Sequence, residues 1–380
     1  MIIAVVVLSI IVLIALLLWG VDFVHFVSAR LARFHIGRWT DETEWQAAVA
    51  DRAAAWTKKT PTVKITDNSR YVLLDVLNGT YRSAAIQSWQ NAALVLGLKG
   101  RAPDAALKSA LGYLNTDGSW RAVPSTVDSA MLAYAILCTV PDPTSVRPAM
   151  DQMAEVIVRN TDSDGLISYC GGTDNNERYV DAIGLVCPFL ARYARVYDFP
   201  EYRELALRQI RFYHDHGLLP GTELPCHAIS KDRRLPLGVY GWGRGTVWYT
   251  LGLFDTWKEL PAGDDKDQLA AWIRESADSY RHYQREDGGF GGILQRSRTY
   301  DSSATAGLAW FYRVCGIEFQ SPDYAATAEL CLKKLRSVTR RNGAIDWCQG
   351  DTKDIGVFAQ TYDVMPFAQG MAIRAFKPEE

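Results

Sequence analysis

The chain has 380 residues, 48% of them hydrophobic and 22% charged, with a formal net charge of −2. That balance is that of a globular protein with a sizeable core, and it supplies no basic field for nucleic acid. Seven cysteines are present, none in a Cys-x-x-Cys or Cys-x-x-His arrangement, so no zinc pattern appears and no metal or other cofactor is expected. Cys138 and Cys187 fall in apolar runs and read as small core hydrophobes, in keeping with a reducing compartment.

Residues 2–19 carry no charge and are almost all Ile, Val, Leu or Ala. Roughly 20 such residues span a bilayer as a helix. Trp19 sits where an interfacial aromatic belongs. A signal peptide would begin with basic residues, which are missing, and Ser28-Ala29-Arg30 is a weak cleavage site. Residues 1–20 therefore read as an uncleaved single-pass membrane anchor. Arg30, Arg33 and Arg38 follow it, and positive charge prefers the cytoplasmic side, so the body of the protein is expected in the cytoplasm. Residues 21–39 form a basic juxtamembrane segment that either continues the anchor helix or lies amphipathically in the interface.

From residue 40 to 380 one helix pattern follows another. Helices are expected near 41–57, 82–98, 104–115, 126–139, 145–160, 179–197, 200–215, 243–259, 265–285, 300–315, 322–340 and 358–376. The run Ile183, Leu185, Val186, Phe189, Leu190, Tyr193 has helical spacing, and no strand pattern of similar length appears. Asp117-Gly118, Asp164-Gly165, His216-Gly217, Asp287-Gly288 and Asn342-Gly343 each end or follow a helix, where glycine takes a left-handed conformation without penalty. The recurrence of about two helices per break implies helix hairpins in a ring or solenoid. Six hairpins give an all-α (α/α)6 barrel, with inner helices around a central cleft. Lys58-Lys59-Thr60-Pro61 reads as a connector, and Asn78-Gly79-Thr80 matches a glycosylation sequon that a cytoplasmic domain would not use.

No phosphate loop, nucleophile elbow or zinc-protease motif is present. Polar residues at helix starts stand out instead. Asp181 opens a long apolar helix; it is either a cap and dipole partner, or a carboxyl among apolar neighbours whose raised pKa suits a general acid. Asp128 starts a helix one hairpin earlier, again as a cap or as a second carboxyl in the same cleft. In Trp242-Gly243-Arg244-Gly245-Thr246-Val247-Trp248, an arginine fork able to meet a carboxylate lies between two aromatic walls, or the motif is a tight helix entry with core tryptophans. His227 lies on a loop 15 residues before Trp242 and is a weaker signal.

Assembled, these residues resemble glycoside hydrolase families 105 and 88, the unsaturated rhamnogalacturonyl and unsaturated glucuronyl hydrolases. The likeness runs from about Asp128 to the C-terminus. It is most specific from Tyr179 to Leu260, where an Asp opens a helix that continues through Pro188-Phe189-Leu190-Ala191, followed by a loop histidine and the Trp242–Trp248 motif. Asp301-Ser302-Ser303-Ala304 and the stretch through Cys348-Gln349-Gly350-Asp351-Thr352 add to it. The resemblance implies an (α/α)6 barrel, Asp181 as catalytic acid/base assisted by Asp128, and His227, Trp242, Arg244 and Trp248 lining a site for a terminal uronate. The implied substrate partner is an oligosaccharide ending in an unsaturated uronic acid, hydrated at its C4=C5 bond. Thr246-Val247 departs from the family's Asn-Gly, and residues 182–185 depart from the usual Thr-x-x-Met. Another (α/α)-barrel lyase or epimerase, or a non-catalytic glycan-binding protein of polysaccharide metabolism, stand as alternatives.

Overall fold

A computed structural model describes residues 2–61, 63, 77, 87–296 and 298–376. Helix α1 covers Ile2–Ala32. Its first part, Ile2–Gly20, is long and apolar enough to cross a membrane, and none of it is buried against the rest of the protein.

Twelve further helices follow among the described residues. They are α2 (Glu42–Lys58), α3 (Ser88–Leu98), α4 (Pro103–Leu111), α5 (Ala130–Thr139), α6 (Arg147–Arg159), α7 (Val180–Tyr197), α8 (Pro200–Gly217), α9 (Gly243–Glu259), α10 (Asp264–Arg281), α11 (Ser302–Glu318), α12 (Pro322–Ser337) and α13 (Pro366–Phe376). Their starts follow from local chemistry. Asp41 caps α2 by accepting the Glu44 N–H at 2.8 Å, and Ser321 precedes Pro322 at the first turn of α12.

The odd-numbered helices α3, α5, α7, α9, α11 and α13 pack each on the next, and α13 closes onto α3. Their residues are almost wholly buried, whereas α2, α4, α6, α8, α10 and α12 bury one face each and form the outer layer. This is the (α/α)6 barrel. The closing contact is tight: a Cβ on Gly370 would lie 2.0 Å from the Ala93 carbonyl oxygen, so only glycine lets α13 and α3 meet there. At the end where the inner helices finish, Arg374 of α13 donates to both carboxylate oxygens of Asp255 of α9 at 3.0 and 3.1 Å, a buried pair that ties the ring across its base.

Four of the five expected glycine breaks share one turn. Gly118, Gly165, Gly288 and Gly343 all have positive φ. In each turn a residue just before the glycine donates its N–H to the carbonyl just after it (Asn115 to Ser119, Asp162 to Leu166, Arg285 to Gly289, Arg340 to Ala344). The fifth differs. Gly217 is the last helical residue of α8, and the chain turns at Gly221 between two short paired strands, β2 (Leu218–Leu219) and β3 (Leu224–Pro225). The other strands are equally short. β1 (Glu177–Tyr179), β4 (Ala228–Ser230) and β5 (Leu235–Leu237) form one antiparallel sheet, and β6 (Cys348–Gln349) pairs with β7 (Tyr362–Asp363).

Two boundaries correct the sequence expectation. The last helix begins at Pro366 rather than at 358, because proline lacks an N–H and its ring clashes with the preceding turn, so helix cannot continue upstream through it. The expected helix start at 126 is instead a separate 3₁₀ turn, Val127–Ser129, before α5. The start of the 82–98 helix and the sequon at Asn78 lie outside the described residues.

The segment after α1 docks on the barrel. Arg33 makes two 2.8 Å hydrogen bonds to the buried Asp346 carboxylate, the Gly37 N–H donates to Thr339 O at 3.0 Å, and Trp39 Nε1 donates to Arg340 O at 3.2 Å. These partners belong to the connection between α12 and α13, at the end of the barrel where inner helices begin.

Candidate active site

The inner helices begin at one end of the ring, and a cavity of about 320 Å³ opens there. Asp181, Arg244, Trp248, His227, Tyr169, Tyr179, Trp89, Gln87 and residues 351–354 line it. Strand β1 leads directly into α7, which puts Asp181 in the first helical turn; the Val180 N–H donates to His227 O at 3.0 Å, which fixes the histidine beside it. Arg244 and Trp248 lie one helical turn apart near the start of α9, so both face the same space.

Asp181 does not cap its helix. Tyr179 occupies the cap position, and Asp181 Oδ2 is buried without a hydrogen-bond partner. Burial pushes its carboxyl up to about 7; Arg244 pulls the other way and Asp351 adds to the rise. The group therefore holds a proton near neutrality. His227 Nε2 lies 3.9 Å from Asp181 Oδ2. The Gly356 N–H donates to His227 Nδ1 at 3.2 Å, so Nδ1 is an acceptor and Nε2 carries the proton toward the cavity. Burial, aided by the Arg244 charge, lowers the imidazole to about 4, which keeps it neutral.

Arg244 is 1% exposed, and its fork is already committed. Nη1 donates to Gln349 O at 3.0 Å and Ser303 Oγ at 3.2 Å, and Nη2 donates to Gly350 O at 3.0 Å. Its charge still bears on the cavity, where Asp351 Oδ1 is 3.7 Å away. Trp242 sits one layer back from the wall: its ring packs against His227 at 4.5 Å and lies 5.3 Å from the Arg244 guanidinium, supporting both. Trp248 lines the cavity edge-to-face with Trp89 at 5.4 Å, and its buried Nε1 has no partner.

Asp128 lies in the 3₁₀ turn before α5 with Thr126, not Asp128, at the cap position. It does not line the cavity, but its Oδ1 is buried without a partner and its charge acts on Tyr169 and Asp351, which do. Asp351 was missed by sequence reasoning. Burial raises its carboxyl above the usual range, while Arg244 and a hydrogen bond from Gln87 hold it back. The signal was its place two residues after Gln349 in a quoted motif, but a loop aspartate gives no periodicity to read. Tyr169, Tyr179 and Trp89 were likewise indistinguishable from core aromatics.

The departure at Thr246-Val247 falls away from the cavity, whereas Leu185, within the departure at residues 182–185, lines it. Thr246 Oγ1 bonds back to Trp242 O at 3.1 Å, and Val247 is fully buried. A Cβ on Gly307 of α11 would lie 2.2 Å from Val247 Cγ1, so the valine fills a helix–helix contact. Among the described residues no group of three or more His, Cys, Asp or Glu side chains is arranged to hold a metal ion.

A helical ring with a proton-bearing carboxyl, a neutral histidine and aromatic walls at its mouth is the architecture of a carbohydrate-cleaving (α/α)6 barrel. The profile of Glycosyl Hydrolase Family 88 matches residues 110–376, and the chain belongs to that family: it is a glycoside hydrolase. Solved structures are similar throughout. A possible member of the family 105 glycoside hydrolases from Salmonella enterica serovar Paratyphi A shares 16% identity over 89% of this chain and 94% of its own, with TM-score 0.70. An unsaturated glucuronyl hydrolase specific for heparin gives 16% over 88% and 95%, TM-score 0.65. The unsaturated glucuronyl hydrolase of Bacillus sp. GL1 gives 16% over 86% and 93%, TM-score 0.62. No sequence among curated proteins matches the chain significantly.

Proposed function

We propose that this protein removes a terminal 4,5-unsaturated uronic acid from oligosaccharides by hydrating the double bond, with Asp181 as the acid. The observation that carries the reading is the buried Asp181 carboxyl, protonated up to about pH 7, with a partnerless oxygen on the wall of a sugar-sized cavity. The likeness to two unsaturated glucuronyl hydrolases supports the substrate class.

Asp181 donates its proton to C4, and the electron pair of the C4=C5 bond forms the new C4–H bond. Water adds at C5, returning a proton to the Asp181 carboxylate. The resulting hemiketal opens by breaking C5–O5, and the hemiacetal so formed at C1 expels the remaining saccharide. One water is consumed and Asp181 ends protonated. Neutral His227 offers its Nε2–H to a sugar oxygen, and Trp248 supplies a wall for the ring. Arg244 favours an anionic ring by its charge, since its Nη atoms already hold the loop carbonyls. Asp128 assists indirectly, its charge adding to the rise of the Asp351 carboxyl, which in turn adds to the rise at Asp181.

Full-length protein in detergent, incubated with lyase-generated unsaturated disaccharides, should remove the ultraviolet absorbance of the double bond, and Asp181→Asn should not. A rise in absorbance with saturated polymer would instead indicate a lyase.

We also propose that residues 1–20 anchor the protein, that residues 21–39 link anchor to barrel, and that residues 40–380 face the cytoplasm. Arg30 and Arg38 beside the span support that side, as do seven free cysteines. A reporter fused to the C-terminus that is active only when exported would overturn it.

A further inference from the structure

Trp347 is a bulky residue at φ +64°, in the left-handed region such side chains avoid, and it is 38% exposed. Its conformation is held from several directions. Its N–H donates to Asp346 Oδ1 at 2.5 Å and its carbonyl accepts from the Ser302 N–H at 3.0 Å. Asp346 is itself gripped by Arg33 at 2.8 Å and by Arg340 at 2.6 Å, and the Arg33 guanidinium lies 4.3 Å from the Trp347 ring centre. A strained backbone that presents an aromatic ring to solvent is a recurrent mark of a ligand clamp.

The ring borders a second cavity, of about 350 Å³, outside the catalytic one. Tyr300 and Tyr362 supply further aromatic walls, and of the cations Arg285, Arg298 and Lys334 the first and last pair with the single carboxylate, Asp287, which leaves the lining net positive. Lys334 bridges the two kinds of wall: its Nζ is 4.6 Å from the Tyr300 ring centre and 2.8 Å from Asp287 Oδ2. Aromatic faces take the apolar faces of sugar rings, the cations take acidic substituents, and a carboxylate accepts hydroxyl protons. Asp287 is already held by Arg285 and Lys334, so the aromatic walls are what set this lining apart from a site for phosphate alone. The two cavities share one stretch of chain: Trp347 borders this one and Asp351 lines the other, four residues and at most about 14 Å along an extended chain.

We propose that this cavity is a second saccharide-binding site, holding an acidic segment of glycan while the catalytic cavity holds the terminal sugar. It rests on the reading that the substrate is an acidic oligosaccharide. The test uses full-length protein in detergent and a saturated uronate tetrasaccharide, which has no double bond and cannot turn over. Trp347→Gly removes the ring and leaves a residue at ease with positive φ, so the backbone is not strained further; Lys334→Gln removes the charge and keeps a polar side chain of similar length. Binding of the saturated probe by calorimetry should weaken at least fivefold in Trp347→Gly and about threefold in Lys334→Gln. With unsaturated substrates, Lys334→Gln should raise KM for a tetrasaccharide and leave the disaccharide unaffected. Failure of the wild type to bind the saturated probe would overturn the site, as would a probe affinity indifferent to both variants. So would capture of phosphatidylglycerol vesicles, rather than saccharide, that is lost with Lys334→Gln. Failure of the functional reading looks different: the unsaturated substrates would persist while the saturated probe still bound.

Discussion

Two arginines fasten the same ribbon of chain from opposite ends, and they do so differently. At the catalytic end Arg244, fully buried on the inner helix α9, holds the carbonyls of Gln349 and Gly350. At the outer end Arg33, from the segment that leaves the anchor helix, holds the carboxylate of Asp346 and the carbonyl of Tyr362 at 2.6 Å. Between them run β6 and β7, and just beyond them Asp351 reaches the catalytic cavity. Arg244 holds those two carbonyls, while the N–H groups of Gln349 and Gly350 donate to Asp301 and to Thr361 O. Arg33 shares its carboxylate with Arg340, and is therefore the more dispensable of the two.

The comparison presumes that the inner end serves chemistry. Asp181→Asn tests that presumption and carries the largest expected effect. Turnover of an unsaturated disaccharide should fall by about 10² to 10⁴-fold, the usual contribution of a positioned general acid. In the wild type, activity should fall as pH rises through about 7, because the acid form of Asp181 is lost there. The same raised carboxyl has a stability signature. A proton held more tightly folded than unfolded stabilises the fold at low pH, and that advantage is lost between the unfolded value near 4 and about 7. Asp181→Asn should therefore raise the unfolding temperature at pH 8 relative to wild type and change it little at pH 4. A variant less stable at pH 8 would mean that the carboxylate is paired rather than orphaned.

The inner end was legible in the sequence and the outer end was not, for physical reasons. Arg244 sits between tryptophans at the start of a periodic helix, and Asp181 opens another, so period and position marked both. The helix count was readable because the hairpins repeat an apolar face and, at four of five breaks, a glycine turn. Arg33 looked like one of three juxtamembrane charges, readable as a topology signal; nothing local reveals that its partner lies 313 residues away. Asp351 and Trp347 belong to loops, where side chains are placed by hydrogen bonds to distant chain rather than by periodicity. The 358–376 helix was drawn too long for the same reason: residues 362–363 are recruited to pair with β6.

Arg244→Met should cost stability next. It leaves two buried carbonyls and the Ser303 hydroxyl without their donor, so a loss of roughly 3 kcal/mol is expected in denaturant unfolding. Activity should fall as well, because the carbonyls it releases adjoin Asp351. A variant with full stability would show that water replaces the guanidinium easily, and would remove the asymmetry between the two arginines.

Arg33→Ala should be milder, about 1 to 2 kcal/mol, because Arg33 is partly exposed and Arg340 remains on Asp346. Its distinguishing mark is the pH at which the effect is felt. Burial alone would raise the Asp346 carboxyl, but Arg33 and Arg340 outweigh it and hold the group below the usual carboxylate range. A depressed carboxyl contributes stability above its unfolded pKa, and that contribution is lost as pH falls through the folded value. Without Arg33 the folded value moves up toward the unfolded one. The variant should therefore lose its stability deficit in acid, converging with wild type once pH falls through the depressed folded value of Asp346, while the deficit is complete at pH 6. Hydrogen exchange at pH 6 should quicken at residues 346–351 and 362–364 and stay unchanged in the remote turn at residues 115–120. Uniform quickening would mean that Arg33 supports the fold at large, and a deficit independent of pH would mean that its contact with the Trp347 ring, rather than its ion pair, fastens the ribbon.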